Sequence, residues 1–174
     1  PDVAETLSVL QALGVESRII SGDRQAPVGA LARALNIKGD SEMRPENKLA
    51  LLETLKAQGH RPLMVGDGIN DGPALAAAHA SIAPGSASDV SQQAADAVFL
   101  GRTLMPVALA VSVARRTMRI VRQNFGFAIG YNVLAVPLAL AGLATPLIAA
   151  IAMSLSSLVV VGNSLRLARV GNAP

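Results

Sequence analysis

The chain has no cysteine, no tryptophan, one tyrosine and three phenylalanines in 174 residues. Without a thiol there is no disulfide framework and no Cys-based zinc or redox site. An aromatic share of 2% removes the stacking platform that single-stranded nucleic acid requires, so the formal net charge of +3 does not point to a nucleic-acid partner. Acidic residues are missing from one end: residues 97–174 hold 7 Arg and no Asp or Glu, whereas residues 1–96 hold 8 Lys and Arg and all 12 acids. Charge of either sign is missing from the 43 residues 123–165. A chain that is 51% hydrophobic and 16% charged is too apolar for disorder, and its charge asymmetry marks two environments, one aqueous and one lipid.

As a single helix the uncharged run would extend about 65 Å, against a bilayer core of about 30 Å. It divides into two spans of about 20 residues, near 124–143 and 146–165, with Gly142, Thr145 and Pro146 supplying the turn. A buried helical hairpin in a large soluble core is the alternative, and so long an uncharged run is hard to house there. Arg115, Arg116, Arg119 and Arg122 precede the first span, and Arg166 and Arg169 follow the second. The positive-inside bias then places both ends in the cytoplasm and embeds the pair in the lipid bilayer. Residues 102–122 read as an amphipathic helix connecting the aqueous part, 1–101, to the spans at 123–165, with 166–174 as a cytoplasmic tail.

Upstream, short apolar strands at 15–20, 62–65, 81–83 and 97–100 alternate with helices at 27–35, 46–58, 73–80 and 88–95. That rhythm predicts a parallel α/β sheet, whose ligands sit beyond the carboxyl ends of the strands. Two such ends carry polar clusters, Ser21-Gly22-Asp23 and Gly66-Asp67-Gly68-Ile69-Asn70-Asp71, expected to face one crevice. Asp67 and Asp71 offer two hard oxygen ligands in a loop whose glycines allow close approach, which suits Mg²⁺ beside a phosphate. Ser21 could donate a hydrogen bond to a phosphoryl oxygen, and Lys48 could add positive charge where phosphoryl transfer spreads negative charge. Each piece alone is common turn or helix-surface chemistry. The ordered set is much less so.

Gly66-Asp67-Gly68-Ile69-Asn70-Asp71-Gly72-Pro73-Ala74-Leu75 resembles the ten-residue hinge signature of the P-type ATPases. Ser21-Gly22-Asp23 is similar to their Thr/Ser-Gly-Asp motif, and Pro45 with Lys48 to their Pro-x-x-Lys motif, in the same order. The resemblance covers essentially the whole chain. It implies an α/β fold consisting of part of a haloacid-dehalogenase-like Rossmann phosphorylation domain, followed by a two-helix transmembrane hairpin. In that reading Asp67, with Asp71 nearby, holds Mg²⁺, while Ser21 and Lys48 stabilise a phosphoryl group taken from ATP by an aspartate; Asn70 belongs to the same signature. The family's Asp-Lys-Thr-Gly-Thr nucleophile motif does not occur in these residues, nor does its Thr-Gly-Glu loop. The resemblance therefore predicts the C-terminal piece of a longer pump, inactive without its N-terminal part.

Tyr131-Asn132 and Met153-Ser154-Leu155-Ser156-Ser157 look like the Tyr-Asn and Met-x-x-Ser-Ser signatures of the copper-transporting heavy-metal members. Met153 and Ser157 stand four residues apart and share a helix face. A thioether suits a soft monovalent ion such as Cu⁺, with Ag⁺ indistinguishable, whereas a harder divalent ion favours a carboxylate, and the second span has none. The implied cargo path is Tyr131, Asn132, Met153 and Ser157, completed by a Cys-Pro-Cys helix not among these residues. Ser81-Ile82-Ala83-Pro84-Gly85 and Ala95-Asp96-Ala97-Val98-Phe99-Leu100 look closest to the bacterial subgroup linked to cytochrome oxidase assembly, which implies the bacterial inner membrane and a copper chaperone or acceptor as partner. Two alternatives stay open: a catalytically silent truncated membrane protein, and a membrane-anchored phosphatase of the same fold, which would need its own nucleophilic aspartate.

Overall fold

Glycine and proline break the first hundred residues into short elements, and the rest forms two long helices. A computed structural model describes residues 2–67, 69–143 and 145–167; Gly68, Arg169 and the expected tail past residue 167 lie outside them. In chain order the elements are α1 (Val3–Ala12), β1 (Arg18–Ile20), α2 (Gln25–Leu35), β2 (Lys38–Asp40), α3 (Pro45–Ala57), β3 (Leu63–Val65), a 3-10 turn (Ile69–Asp71), α4 (Gly72–Ala77), β4 (Ala80–Pro84), α5 (Asp89–Ala94), β5 (Ala97–Phe99), α6 (Met105–Leu140) and α7 (Pro146–Ser164). The chain divides into two compact units, Pro1–Leu109 and Ala110–Pro174.

In the first unit every strand pair is parallel, as the alternating pattern predicts. The strands form two ladders rather than the single sheet expected: β1 with β2, and β3–β4–β5. Each ladder is built by its own strand-helix-strand crossovers, while α3 carries the chain from one to the other. A shared core joins them. Ile20 at the end of β1 packs against Leu52 of α3, Met64 of β3, and Ala74 and Leu75 of α4. Burying a Leu or Met side chain there stabilises by about 1.5–3 kcal/mol each. Ser81 and Asp96 stitch β4 to β5, the Asp96 carboxylate accepting from the Ser81 N–H at 2.9 Å and its hydroxyl at 3.1 Å.

Several boundaries differ from expectation for local reasons. The strand expected over 15–20 begins only at Arg18, because the Val15 N–H closes the end of α1 on the Leu10 carbonyl at 2.9 Å. The helix expected over 73–80 stops at Ala77, and Ala80 already opens β4. β2 is unforeseen: Lys-Gly-Asp has no apolar signal, and its glycine is needed because a Cβ at Gly39 would lie 2.8 Å from the Cβ of Ala32 in the overlying α2. The expected connecting helix 102–122 and first span 124–143 are one continuous helix of 36 residues, starting at Met105. A change from charged to apolar composition does not interrupt helical hydrogen bonding, and no Gly or Pro stands between Val107 and Phe125.

In the second unit α6 ends at the expected turn, where the Leu143 N–H reaches back to the Leu138 carbonyl at 3.0 Å. Thr145 then caps α7, its hydroxyl accepting from the Ile148 N–H at 3.3 Å, with Pro146 in the first turn. Side chains tie the two helices together: the Asn124 amide donates to Ser164 Oγ at 3.0 Å and the Asn163 amide to Asn124 Oδ1 at 2.8 Å. Among the described residues one helical stretch, Pro146–Leu167, is long and apolar enough to cross a membrane. Its Leu147, Ile151, Leu155 and Leu158 are exposed, as they would be against lipid.

Candidate active site

The chemistry-bearing loop leaves the carboxyl end of β3. Val65 is the last strand residue, Gly66 and Asp67 follow, and a 3-10 turn delivers Asp71 to the N-terminus of α4. The turn is tight at Gly66: a Cβ there would lie 3.0–3.2 Å from the Cβ, Cγ and Oδ2 of Asp71, so any side chain would press on that carboxylate. The main chain of Asp67 is pinned by the Ser88 N–H, which donates to its carbonyl at 3.2 Å. Its side chain is exposed and, among the described residues, makes no hydrogen bond or ion pair.

Lys48 comes from the first turns of α3, where Pro45 opens the helix with its φ already helical. Its ammonium lies 2.6 Å from Asp71 Oδ1, and only 10% of the Lys48 side chain and 13% of that of Asp71 is exposed to solvent. Two charges so far from water are held by their mutual attraction, and each fixes the other's position. The two residues expected to meet at one site therefore do, but as partners: Asp71 is occupied by Lys48, and Asp67 is the carboxylate open to the outside.

Ser21 follows β1 and is clamped through its main chain, its N–H donating to the Asp40 carbonyl at 2.9 Å and its own carbonyl accepting from Met43 at 2.9 Å. Its Oγ accepts from the Asp23 N–H at 3.1 Å, which leaves the hydroxyl hydrogen available to an outside acceptor. Because Ile20 and Met64 pack on the same core, the chain ends carrying Ser21 and Gly66-Asp67 emerge from one hydrophobic cluster. Asn70 is exposed in the 3-10 turn. An exposed carboxylate on a glycine-bounded loop fits a hard divalent cation such as Mg²⁺, although no three His, Cys, Asp or Glu residues converge among the described residues.

Of the expected cargo residues, Tyr131 lines a cleft and the other three lie outside its lining. Tyr131 lines a cleft of about 280 Å³ with Phe127, Ala152, Leu155, Ser156 and Val159. Asn132 turns its amide onto the Ala128 carbonyl of its own helix at 2.9 Å. Met153, 68% exposed, and the exposed Ser157 lie outside the lining of that cleft. Ser156, the other serine of the Met-x-x-Ser-Ser motif, lines it.

A family model described as haloacid dehalogenase-like hydrolase matches residues 1–79. Over 175 residues the chain is 54% identical to the nitrogen fixation protein FixI of Rhizobium leguminosarum bv. viciae, covering 100% of this chain and 23% of that protein. It is 42% identical to a copper-exporting P-type ATPase of Mycobacterium tuberculosis over 98% of this chain and 22% of that protein. The crystal structure of a zinc-transporting PIB-type ATPase in its E2.Pi state superposes with a TM-score of 0.85 at 33% identity, over 95% of this chain and 27% of that one. The chain thus spans under a quarter of the length of the curated relatives it matches.

Proposed function

The chain belongs to the P-type ATPases, and on that premise we propose that the protein of which it forms part drives Cu⁺ across a membrane by forming and hydrolysing an aspartyl phosphate. The observation that carries this reading is the site's division of labour: a nearly buried Lys48–Asp71 pair beside an open carboxylate, Asp67, on a loop where a side chain at Gly66 would press on Asp71. Rigid charge next to an open ligand is what phosphoryl transfer needs, since little covalent work falls to the enzyme beyond positioning and electrostatics.

In this reading Asp67 is the chain's direct ligand for Mg²⁺, which supplies positive charge to the phosphate oxygens when bound. Lys48 sets a fixed ammonium near the phosphoryl group and Asp71 fixes its direction. The Ser21 hydroxyl, oriented by the Asp23 N–H, donates its hydrogen to a phosphoryl oxygen. Asn70, exposed on the same turn, is available to the entering group. The aspartate that takes the phosphoryl group comes from outside these residues, which contain no Asp-Lys-Thr-Gly-Thr. β1 and β3 each pair on one side only among the described residues, so a further strand has an edge to join on each ladder.

α6 beyond Gln123 and α7 form the membrane hairpin of this pump, with the Arg residues before and after it on the cytoplasmic side. Tyr131, Asn132, Met153 and Ser157 contribute to the Cu⁺ path, and the thioether favours a soft monovalent ion. A copper chaperone or acceptor exchanges the ion with the pump. The deciding experiment is acid-stable labelling of the complete protein by ATP with Mg²⁺. Asp67→Asn is expected to abolish the label; a normally labelled Asp67→Asn variant overturns the assignment.

A further inference from the structure

Asp2 stands at the position just before α1, where an aspartate ordinarily accepts a hydrogen bond from its own helix. Its side chain accepts no capping bond from a backbone N–H of α1. Instead Oδ2 accepts from the Leu104 N–H at 2.6 Å and the Met105 N–H at 2.9 Å, the first donors of α6. Leu104, the residue before α6, has no side-chain acceptor of its own, and a helix start leaves several N–H groups to be satisfied from elsewhere. The long helix therefore borrows its cap from 102 residues earlier in the chain. Thr6 in the first turns of α1, itself buried, donates from Oγ1 to the same carboxylate oxygen at 3.4 Å, so the Asp2 side chain bridges α1 and the start of α6. Val107 and Ala108 in the first turn of α6 are buried beside this contact, at 4% and 0% exposure.

We propose that Asp2 is a coupling residue, which locks the root of α6 to α1 so that movement of the phosphorylation domain reaches the helix that continues into the apolar segment. Three features support it. The contact is charge-assisted and two-pronged, hence stronger than an ordinary cap. It joins elements that the sequence keeps far apart. And α6 is continuous from Met105 to Leu140, so the clasped turn and the apolar stretch belong to one helix. The coupling role rests on the pump reading above; the clasp itself does not.

The test uses the complete protein in detergent, as wild type, Asp2→Ala and Asp2→Asn, with two readouts. The first is amide hydrogen exchange at Leu104 and Met105. The second compares phosphoenzyme formed from inorganic phosphate, which reads the phosphorylation chemistry without ion-driven turnover, with Cu⁺-dependent ATP turnover. For Asp2→Ala the expected result is exchange at both amides at least tenfold faster, phosphoenzyme retained, and Cu⁺-dependent turnover reduced at least tenfold. Asn keeps an oxygen acceptor and is expected to restore most of both. Parallel loss of phosphoenzyme and turnover would reduce Asp2 to a structural cap and overturn the coupling. Unchanged exchange would overturn the clasp. A wild-type protein that forms no phosphoenzyme while its exchange pattern holds would sink the pump reading and leave the clasp standing.

Discussion

Lys48 Nζ lies 2.6 Å from Asp71 Oδ1, with both side chains almost excluded from water. Such a pair holds its geometry well and tolerates the loss of one member badly, because the desolvated charge left behind has lost its nearest counter-charge. Lys48→Met in the complete protein is expected to reduce stability by about 3 kcal/mol and to lower the unfolding midpoint accordingly. Adding Asp71→Leu to that variant removes the second charge and should recover part of the stability but none of the phosphoenzyme. A double variant that recovers both would show the pair to be scaffolding alone.

The legibility of this pair in the sequence, and the illegibility of others, has a physical basis. Pro45, Lys48, Gly66, Asp67 and Asp71 stand in short motifs whose spacing is set by one helix turn or one loop, so their chemistry could be read locally. That Asp71 would occupy Lys48, leaving Asp67 as the open carboxylate, depends on how α3 packs against α4, and no local pattern encodes it. β2 was invisible because Lys-Gly-Asp is chosen for closeness to α2 and for the ion pair of Asp40 with Arg18, not for burial. The continuity of α6 was hidden by the arginines 115–122, which mark where an environment changes but not where a helix ends. Asp2 could be read as the leader of its own helix; its partners lie about a hundred residues away.

The Asp2 clasp has a defined pH window. Partial desolvation pushes the Asp2 carboxyl upward, but the N–H groups of Met105, of Asp2 itself and of Leu104, together with the N-terminal charge, outweigh it and hold the group below its ordinary value near 3.8. A folded-state value lower than the unfolded one means that the contribution to stability is complete above the unfolded value and lost as pH falls through the folded one. Exchange at the Leu104 and Met105 amides, corrected for its intrinsic pH dependence, should therefore be flat from pH 5 to pH 8. It should accelerate only in acid, and Asp2→Asn should remove that acid step. A step near neutral pH would assign the titration to a different group.

Met153 supplies a thioether on an exposed face of α7, outside the cleft that Tyr131 lines. If its sulfur ligates Cu⁺ together with groups from beyond these residues, Met153→Ala should weaken Cu⁺ binding by the complete protein about tenfold, the loss of one soft ligand, while phosphoenzyme from inorganic phosphate persists. Competition with a chelator of known affinity would measure it. Unchanged stoichiometry and affinity would remove Met153 from the path and turn attention to the Tyr131 and Ser156 cleft.

That cleft is in register with the polar tie between its helices. Asn124 and Tyr131 are seven residues apart on α6, and Ser156 and Asn163 seven apart on α7, two helical turns in each case, so the tie and the cleft lie along the same pair of stripes. Asn163 donates to Asn124 at 2.8 Å and to Gln123 at 3.3 Å, and accepts from Arg166 at 3.1 Å. Interhelical hydrogen bonds in lipid contribute about 0.6 kcal/mol each and seldom above 1.7, so Asn163→Leu should leave the protein folded. What it should lose is register. A disulfide between cysteines placed at Phe127 and Val159, which line the cleft from α6 and α7, is expected to form quickly in the parent and several times more slowly with Asn163→Leu. Equal cross-linking rates would mean that apolar packing alone sets the spacing of α6 and α7.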